Sequence, residues 1–179
     1  MAAVSAYLLL TLIFGSGPLE EFQKRVESYV KLHEQIDDKL PDLKREEDPK
    51  VILEHEKAFA AAVRKGRAGA RQSDIFIPAV HPIFRKIIEQ ETSGEAGKKN
   101  RSMILGEGNP KSKGSEADVK VVVNGNYPSA APLSTVPPSL LMRLPELPEA
   151  LHYRFVGRTL ILWDTKANMI VDFLPNAIK

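Results

Sequence analysis

Two histidine–glutamate pairs carry the residue types that a metal-dependent hydrolase would use. His33 and His55 are each followed directly by a glutamate. In the zinc-protease pattern a second histidine stands four residues after the first, because both side chains must project from one helix face onto the metal. Asp37 and Phe59 occupy those two positions here. Neither pair is therefore a complete zinc motif by itself.

A pair of packed helices would bring the two incomplete motifs together. If the helices on either side of the loop at 41–48 pack antiparallel, His33 lies beside His55 and Glu56, with Asp37 one turn away. Imidazole and carboxylate groups are ligands for zinc and other divalent cations. The cluster of His33, His55 and Glu56 is therefore a candidate metal site. In the structural alternative each histidine is half buried and bonds to a carboxylate, and we then expect no cofactor.

The stretch RKGRAGARQSD supplies a second candidate site. Its arginines Arg64, Arg67 and Arg71 are spaced by three and four residues, which places them on one face of a helix. Such a face could bind an anion or an acidic partner, with Asp74 as an internal counter-charge. The alternative needs no ligand, because cations near the C-terminus of a helix stabilise its dipole by about 0.3–1 kcal/mol.

The remaining composition excludes several kinds of chemistry. The 179 residues contain no cysteine, so disulfides, thiolate metal sites and a cysteine nucleophile are excluded within this sequence. It also contains no Walker loop, no dinucleotide fingerprint and no Gly-x-Ser-x-Gly elbow. A formal charge of +2 is too small to indicate a phosphate-binding surface, so we expect no nucleic-acid partner.

The C-terminal stretch RTLILWDTKANMIVDFLPNAIK predicts a β-hairpin that is apolar almost everywhere outside its turn. A three-residue loop at 166–168, with Asn168 in the left-handed conformation, sets the register. We expect one wholly apolar face to lie on the helices: Ile161, Trp163, Val171 and Phe173. The opposite face is mixed: Leu160, Leu162, Asp164, Ile170, Asp172 and Leu174. We expect this mixed face to be covered by the proline-rich segment or by a partner, with the candidate binding residues Leu160, Leu162, Asp164 and Asp172.

The elements that would position these residues alternate between helical and strand periodicity. Apolar spacing predicts a helix over 19–40, a second one from the Asp48-Pro49 start signal to about Arg71, and a third over 82–91. DVKVVVNGNY predicts a strand that ends in an Asn-Gly turn. Residues 128–151, the proline-rich segment, contain six prolines and predict extended chain around a short helix.

These elements predict an α+β fold. An N-terminal antiparallel helical hairpin and a third helix are expected to pack on a small C-terminal antiparallel β-sheet. Residues 18–91 form the helical subdomain, and residues 92–117, rich in Gly, Ser and Lys, are expected to be a flexible linker or loop. Residues 118–179 form the sheet with a proline-rich insertion.

The N-terminal stretch AAVSAYLLLTLIFGSG is uncharged and apolar and ends in small residues. It is shorter than the roughly 20 residues that a transmembrane helix needs, and it is typical of the apolar part of an export signal. We therefore predict a signal peptide over residues 1–17. An uncleaved anchor, which would be the protein's sole contact with a membrane, and an ordinary core helix are the alternatives.

Three parts of the chain together resemble a group of uncharacterised exported proteins from bacteria. They are the apolar leader, the stretch ARQSDIFIPAVHPIFRKII, and the stretch from VNGNYPSAAPLSTVPPSLLMRLPELPEAL to the closing hairpin. The resemblance implies export and a periplasmic or secreted location in the bacterial envelope. It brings no assigned activity, so no catalytic residue is carried over.

Two function classes follow from these patterns. The leading hypothesis is a non-catalytic envelope protein, a binding or assembly module that contacts another envelope protein or a second copy of itself. Its contact surface would be the apolar hairpin and the proline-rich segment. The alternative is a small metal-dependent hydrolase that uses the cluster of His33, His55 and Glu56.

The leader gives the first testable prediction. We expect the mature protein to begin between Gly15 and Leu19, because the apolar run ends there and a charged helix follows. N-terminal sequencing of protein recovered from the producing cell checks this expectation. An intact Met1 on soluble cytoplasmic protein would contradict it.

Overall fold

The computed structural model describes residues 17–43, 48–106, 108–111 and 119–179. Residues 1–16, and with them nearly all of the predicted signal peptide, lie outside the described residues. In the described part of the chain no helix combines the length and the apolar character that a membrane crossing requires. The helices and strands follow in this order: α1 Pro18–Asp37, α2 Pro49–Gly66, α3 His81–Thr92, α4 Gly94–Leu105, β1 Gly125–Asn126, α5 Pro138–Leu141, β2 Leu151–Val156, β3 Thr159–Asp164 and β4 Met169–Leu174.

The predicted α+β class is confirmed. The four strands form one antiparallel sheet in the order β1-β4-β3-β2, and the helices pack on one face of it. A 3-10 turn at Pro78–Val80 leads directly into α3. The predicted start of α2 is also confirmed, since the Asp48 side chain accepts a hydrogen bond from the Lys50 N–H at 2.7 Å. The helix ends at Gly66, before the predicted end near Arg71.

The prediction of a linker over residues 92–117 was wrong for its first half, because residues Gly94–Leu105 form helix α4. This helix packs closely on the end of α3: a Cβ at Gly97 would lie 2.5 Å from the backbone carbonyl carbon of Thr92. The glycine is therefore required by the close approach of two backbones. The sequence did not predict this helix because its buried face carries Gly97 and few large apolar residues besides Ile104, so the apolar periodicity is weak.

The strand predicted around DVKVVVNGNY is shorter than expected. The Asn-Gly turn is present, with Asn124 at φ 60° and the Gly125 N–H donating to the Val122 carbonyl at 3.0 Å. The strand β1 follows this turn instead of preceding it, and it contains two residues. Val119 is buried without being part of a strand.

The left-handed Asn168 is as predicted, but the loop contains the four residues 165–168 instead of three, because Asp164 pairs with Met169. The two faces are reversed at every predicted position except Val171 and Ile170. Asn168 adopts the left-handed conformation, with φ 46°. A β-bulge after Leu162 leaves Val171 as the extra residue, because Leu162 pairs with Asp172 while Trp163 pairs with Ile170. The helices cover the face that carries Leu160, Leu162, Val171 and Leu174. The opposite face carries Ile161, Trp163, Ile170 and Phe173.

Each face has an internal cover. Apart from Val171, the face predicted to lie on the helices packs against residues 119–131, through Val119, Tyr127 and Ala131. Apart from Ile170, the face predicted to be covered by the proline-rich segment or by a partner is part of the main core, where Leu160 and Leu162 are fully buried. The later part of the proline-rich segment joins that core through Leu140 and Leu144. Leu160, Leu162, Asp164 and Asp172 therefore offer no surface to a partner, and that interpretation was wrong.

The burial of Leu162 gives a prediction for stability. Leu162→Ala should lower the free energy of unfolding by about 2–5 kcal/mol, because it leaves a cavity in the main core. Met142→Ala is the matched control: Met142 is 81% exposed, so the change should stay within about 0.5 kcal/mol. Urea titrations followed by circular dichroism measure both values. Equal midpoints for the two variants would contradict the assignment of the buried face.

Candidate functional site

The Asp164 carboxylate is buried at the end of β3, between α1 and the hairpin turn. It accepts a short hydrogen bond from the Tyr29 hydroxyl and another from the Ala167 N–H at 2.7 Å. His33 Nε2 lies 3.4 Å from its Oδ2 atom. Burial alone would raise the pKa of Asp164, but the contact with His33 and the hydrogen bonds from Tyr29 and Ala167 outweigh burial and hold the pKa below its usual range.

The Asp172 carboxylate is buried on β4 and is surrounded by backbone donors. It accepts hydrogen bonds from the N–H groups of Ser73, Ile75, Phe76 and Phe173 at distances of 2.8–3.0 Å. Burial nevertheless raises the pKa of Asp172, although each of these four bonds lowers it. The donors reach the carboxylate because Ser73 adopts a left-handed conformation, with φ 72°, which turns the chain around it.

Arg67 lies near the two buried aspartates and connects them to the turn before β1. Arg67, Tyr29, Asp164 and Asp172 together form a buried polar layer. Its guanidinium donates to Asn124 Oδ1 at 2.6 Å and to the Val171 carbonyl at 2.9 Å. It also lies over the Tyr29 ring, 5.1 Å from the centroid. Burial lowers the pKa of Arg67, whereas Tyr29 and the nearby aspartates, Asp172 first among them, raise it. Asn124 returns the contact by donating to the Arg67 carbonyl at 2.9 Å.

The three arginines predicted to share one anion site do not form a common face, although Arg64 and Arg67 both donate to Asn124. Arg67 faces the core, whereas Arg71 lies beyond the end of α2. The Arg71 backbone N–H donates to the Asp74 carboxylate at 2.7 Å, which closes a turn over residues 71–74. Asp74 therefore has a local structural role and is not a counter-charge for a helix face. Arg64 alone reaches an open groove. The physical reason is that α2 ends at Gly66, which removes the helical spacing on which the prediction relied.

The histidines predicted to bind a metal have different surroundings. His33 is buried, and its ring packs edge-on against the ring of Phe59. Phe59 lies on α2, one helical turn after His55. His55 and the exposed Glu56 line the groove. Within the described ranges, no group of three or more His, Cys, Asp or Glu side chains could hold a metal ion. The metal site therefore stays a prediction, and His33 has the contacts of the structural alternative.

The groove lies between α2, the turn from β3 to β4, and the start of the proline-rich segment. Its volume is about 950 Å³. One wall is α2, with Leu53, Lys57 and Arg64, and the opposite wall is residues 128–131 with Leu133. Such a volume lies at the upper end of the range for ligand sites.

The aromatic part of the groove is held in place by its neighbours. The half-buried Trp163 indole donates its Nε1–H to Asn168 Oδ1 at 3.1 Å. Its ring lies 5.7 Å from the Tyr127 ring and 5.9 Å from the Arg154 guanidinium. Tyr127 in turn donates its hydroxyl to the Pro132 carbonyl at 2.6 Å, and burial raises its pKa to about 12. A rigid aromatic side chain in a groove is a typical anchor site for a ligand.

Comparison with protein-family models, curated proteins and solved structures finds no match to this chain. The function therefore has to be argued from the geometry. The sequence singles out three residues of the groove, His55, Glu56 and Arg64, but it does not predict the groove itself, because the walls come from α2, from a two-residue strand and from a hairpin turn. The Asn-Gly turn at 124–125 was the one local signal that pointed to this region.

The buried layer gives a prediction with a pH dependence. Tyr29→Phe should lower the free energy of unfolding by about 1.5–3 kcal/mol at pH 7, because it removes a hydrogen bond to a charged acceptor. The folded-state pKa of Asp164 is depressed, so its stabilisation is present above the unfolded pKa of about 3.9 and is lost as the pH falls through the folded value. The difference between wild type and Tyr29→Phe should therefore shrink below that pH. Urea titrations at pH 7 and pH 3 measure it.

Tyr153→Phe is the matched control for this experiment. The Tyr153 hydroxyl donates to the Pro145 carbonyl at 3.0 Å, a neutral acceptor. Its loss should cost about 0.5–1.5 kcal/mol at both pH values. A pH-independent effect of Tyr29→Phe would contradict the role of the Tyr29 hydroxyl in lowering the pKa of Asp164.

Proposed function

We propose that this protein is a non-catalytic binding module of the bacterial envelope, and that its groove takes a segment of another envelope protein. The groove replaces the hairpin face as the contact surface. The hairpin contributes through its turn, Thr165 to Asn168, and the proline-rich segment contributes residues 128–131. The envelope location is taken from the resemblance of the sequence to exported proteins.

The exposed aliphatic side chains at the start of α2 carry this proposal. Val51, Ile52 and Leu53 are 41%, 37% and 49% exposed in three successive positions. Leu53 and the exposed Leu43 also line the groove. Large aliphatic side chains that are grouped on the surface beside a concave site are typical of a protein-binding surface.

The buried carboxylates support a binding role over a catalytic one. Each oxygen of Asp164 and of Asp172 accepts a hydrogen bond from the protein. Neither residue lines the groove. An acid or base in catalysis needs an oxygen that reaches the substrate. The hydrolase alternative has less support, because His33 lies in the core whereas His55 and Glu56 line the groove.

Peptide selection tests the proposal. We expect a library of random peptides displayed on phage to yield binders of the purified protein, and Leu53→Asp should weaken them by about tenfold or more, since it places a charge in the apolar wall. Met142→Asp is the control, because it puts the same charge on a more exposed apolar site outside the groove. Peptides that bind Leu53→Asp as tightly as wild type, or a selection without binders, would contradict the proposed function.

A further inference from the structure

The charge of Arg64 is fixed in the wall of the groove, and no acidic side chain among the described residues pairs with it. Its Nε donates to the Asn124 carbonyl at 3.1 Å, and one Nη donates to Asn126 Oδ1. Both acceptors are neutral. Within the described residues no carboxylate lies within 4.0 Å of its guanidinium, and its second Nη has no protein partner. Arg67 differs, because its charge lies among several aspartates.

The other charges that line the groove leave it positive. Lys57 is exposed on the α2 wall, and Lys166 lies on the hairpin turn, where it forms an ion pair with Asp37. Glu56 is the one carboxylate among the described residues of the lining. The cations of the groove therefore exceed its carboxylates, and an anionic group would be attracted to it.

The apolar anchor lies in the same groove as this uncompensated charge. Trp163 is held by Asn168 and by the Tyr127 ring, so a partner that packs on it does not have to order it. Leu53 and Leu133 line the groove as well. A ligand that matches all of these groups has an acidic group close to an apolar side chain.

The polar groups of the lining favour a peptide over a lipid. Asn126, Ser129, Thr165 and Asn168 all line the groove. A peptide backbone offers donors and acceptors to these groups, whereas an acyl chain would bury them without partners at a cost in free energy. Arg64 adds the N–H groups of its second Nη, which can donate a charge-assisted hydrogen bond to the carboxylate of an acidic side chain.

We infer that the groove binds an extended peptide whose Asp or Glu side chain pairs with Arg64 while a neighbouring apolar side chain packs on Trp163. This inference rests on the proposed function and names the chemistry of the partner. Arg64 is the specificity-determining residue, and Lys57 adds long-range attraction. Asn124 positions Arg64, because the same residue that accepts from Arg64 is held by Arg67 in the core.

A double-mutant cycle on the selected peptides tests the pairing. Replacing the acidic residue of a selected peptide by its amide should weaken binding to wild type by about tenfold, as expected for a charge-assisted hydrogen bond. Arg64→Gln should weaken the acidic peptide to a similar degree, and the amide peptide should show no further loss on Arg64→Gln. Lys57→Gln should weaken the acidic peptide by about threefold, with a smaller effect at high salt. Fluorescence anisotropy with labelled peptides measures these affinities.

The outcomes distinguish a failure of the inference alone from a failure of the proposed function. Peptides that need Leu53 but bind equally well as acid and amide would overturn the inference and leave the proposed function standing. A selection without groove-dependent binders would overturn both. Binding to phosphatidylglycerol vesicles that is lost in Arg64→Gln, with no peptide binding, would assign the groove to an anionic lipid and overturn the peptide. If Arg64→Gln does not fold, the acid-to-amide change in the peptide and Lys57→Gln still decide the question.

Discussion

The buried carboxylate of Asp172 is the constraint on which the rest of the structure depends. It lies on the helix-facing side of β4, where an unpaired charge would cost several kcal/mol. The chain provides the donors from residues 73–76, which must therefore lie against the strand. The same segment leads through the turn at Pro78–Val80 into α3, so the contact also fixes where α3 enters the core. An electrostatic requirement on one strand thus determines the placement of a helix almost a hundred residues earlier in the chain.

The buried polar layer also determines the shape of the groove. Arg67 lies in this layer, and it bonds both to the β4 backbone and to the side chain of Asn124. Asn124 occupies a left-handed conformation that ends the turn before β1 and presents its carbonyl to Arg64. The Arg64 guanidinium is therefore held by contacts that continue, through Asn124 and Arg67, into the core. A cation that is already ordered loses less conformational entropy when it binds a carboxylate, which is the physical advantage of this arrangement.

The local features of the fold could be predicted from the sequence, and the long-range ones could not. The Asp48 cap, the Asn168 turn and the α+β class all follow from neighbouring residues. The faces of the hairpin were assigned wrongly because an unpaired carboxylate is expected to avoid the core. That expectation fails here, since the core supplies hydrogen-bond donors to the carboxylate. The donors to Asp172 lie 96 to 99 residues away, so no local pattern revealed them. The bulge at Val171 likewise has no signal in the sequence. Arg64 could be chosen as a candidate from the sequence, but the groove that it lines could not be predicted.

The two buried aspartates have pKa values shifted in opposite directions, a pattern that separates acid from base in many active sites. Here the shifts have a structural explanation. Burial dominates at Asp172, whereas at Asp164 the contact with His33 and the bonds from Tyr29 and Ala167 outweigh it. The stabilisation from Asp164 is therefore lost as the pH falls through its folded pKa, while that from Asp172 is lost as the pH rises through its own. The two contributions change in different pH ranges, below the unfolded pKa of about 3.9 for Asp164 and above it for Asp172, so together they favour the folded state most near that pH.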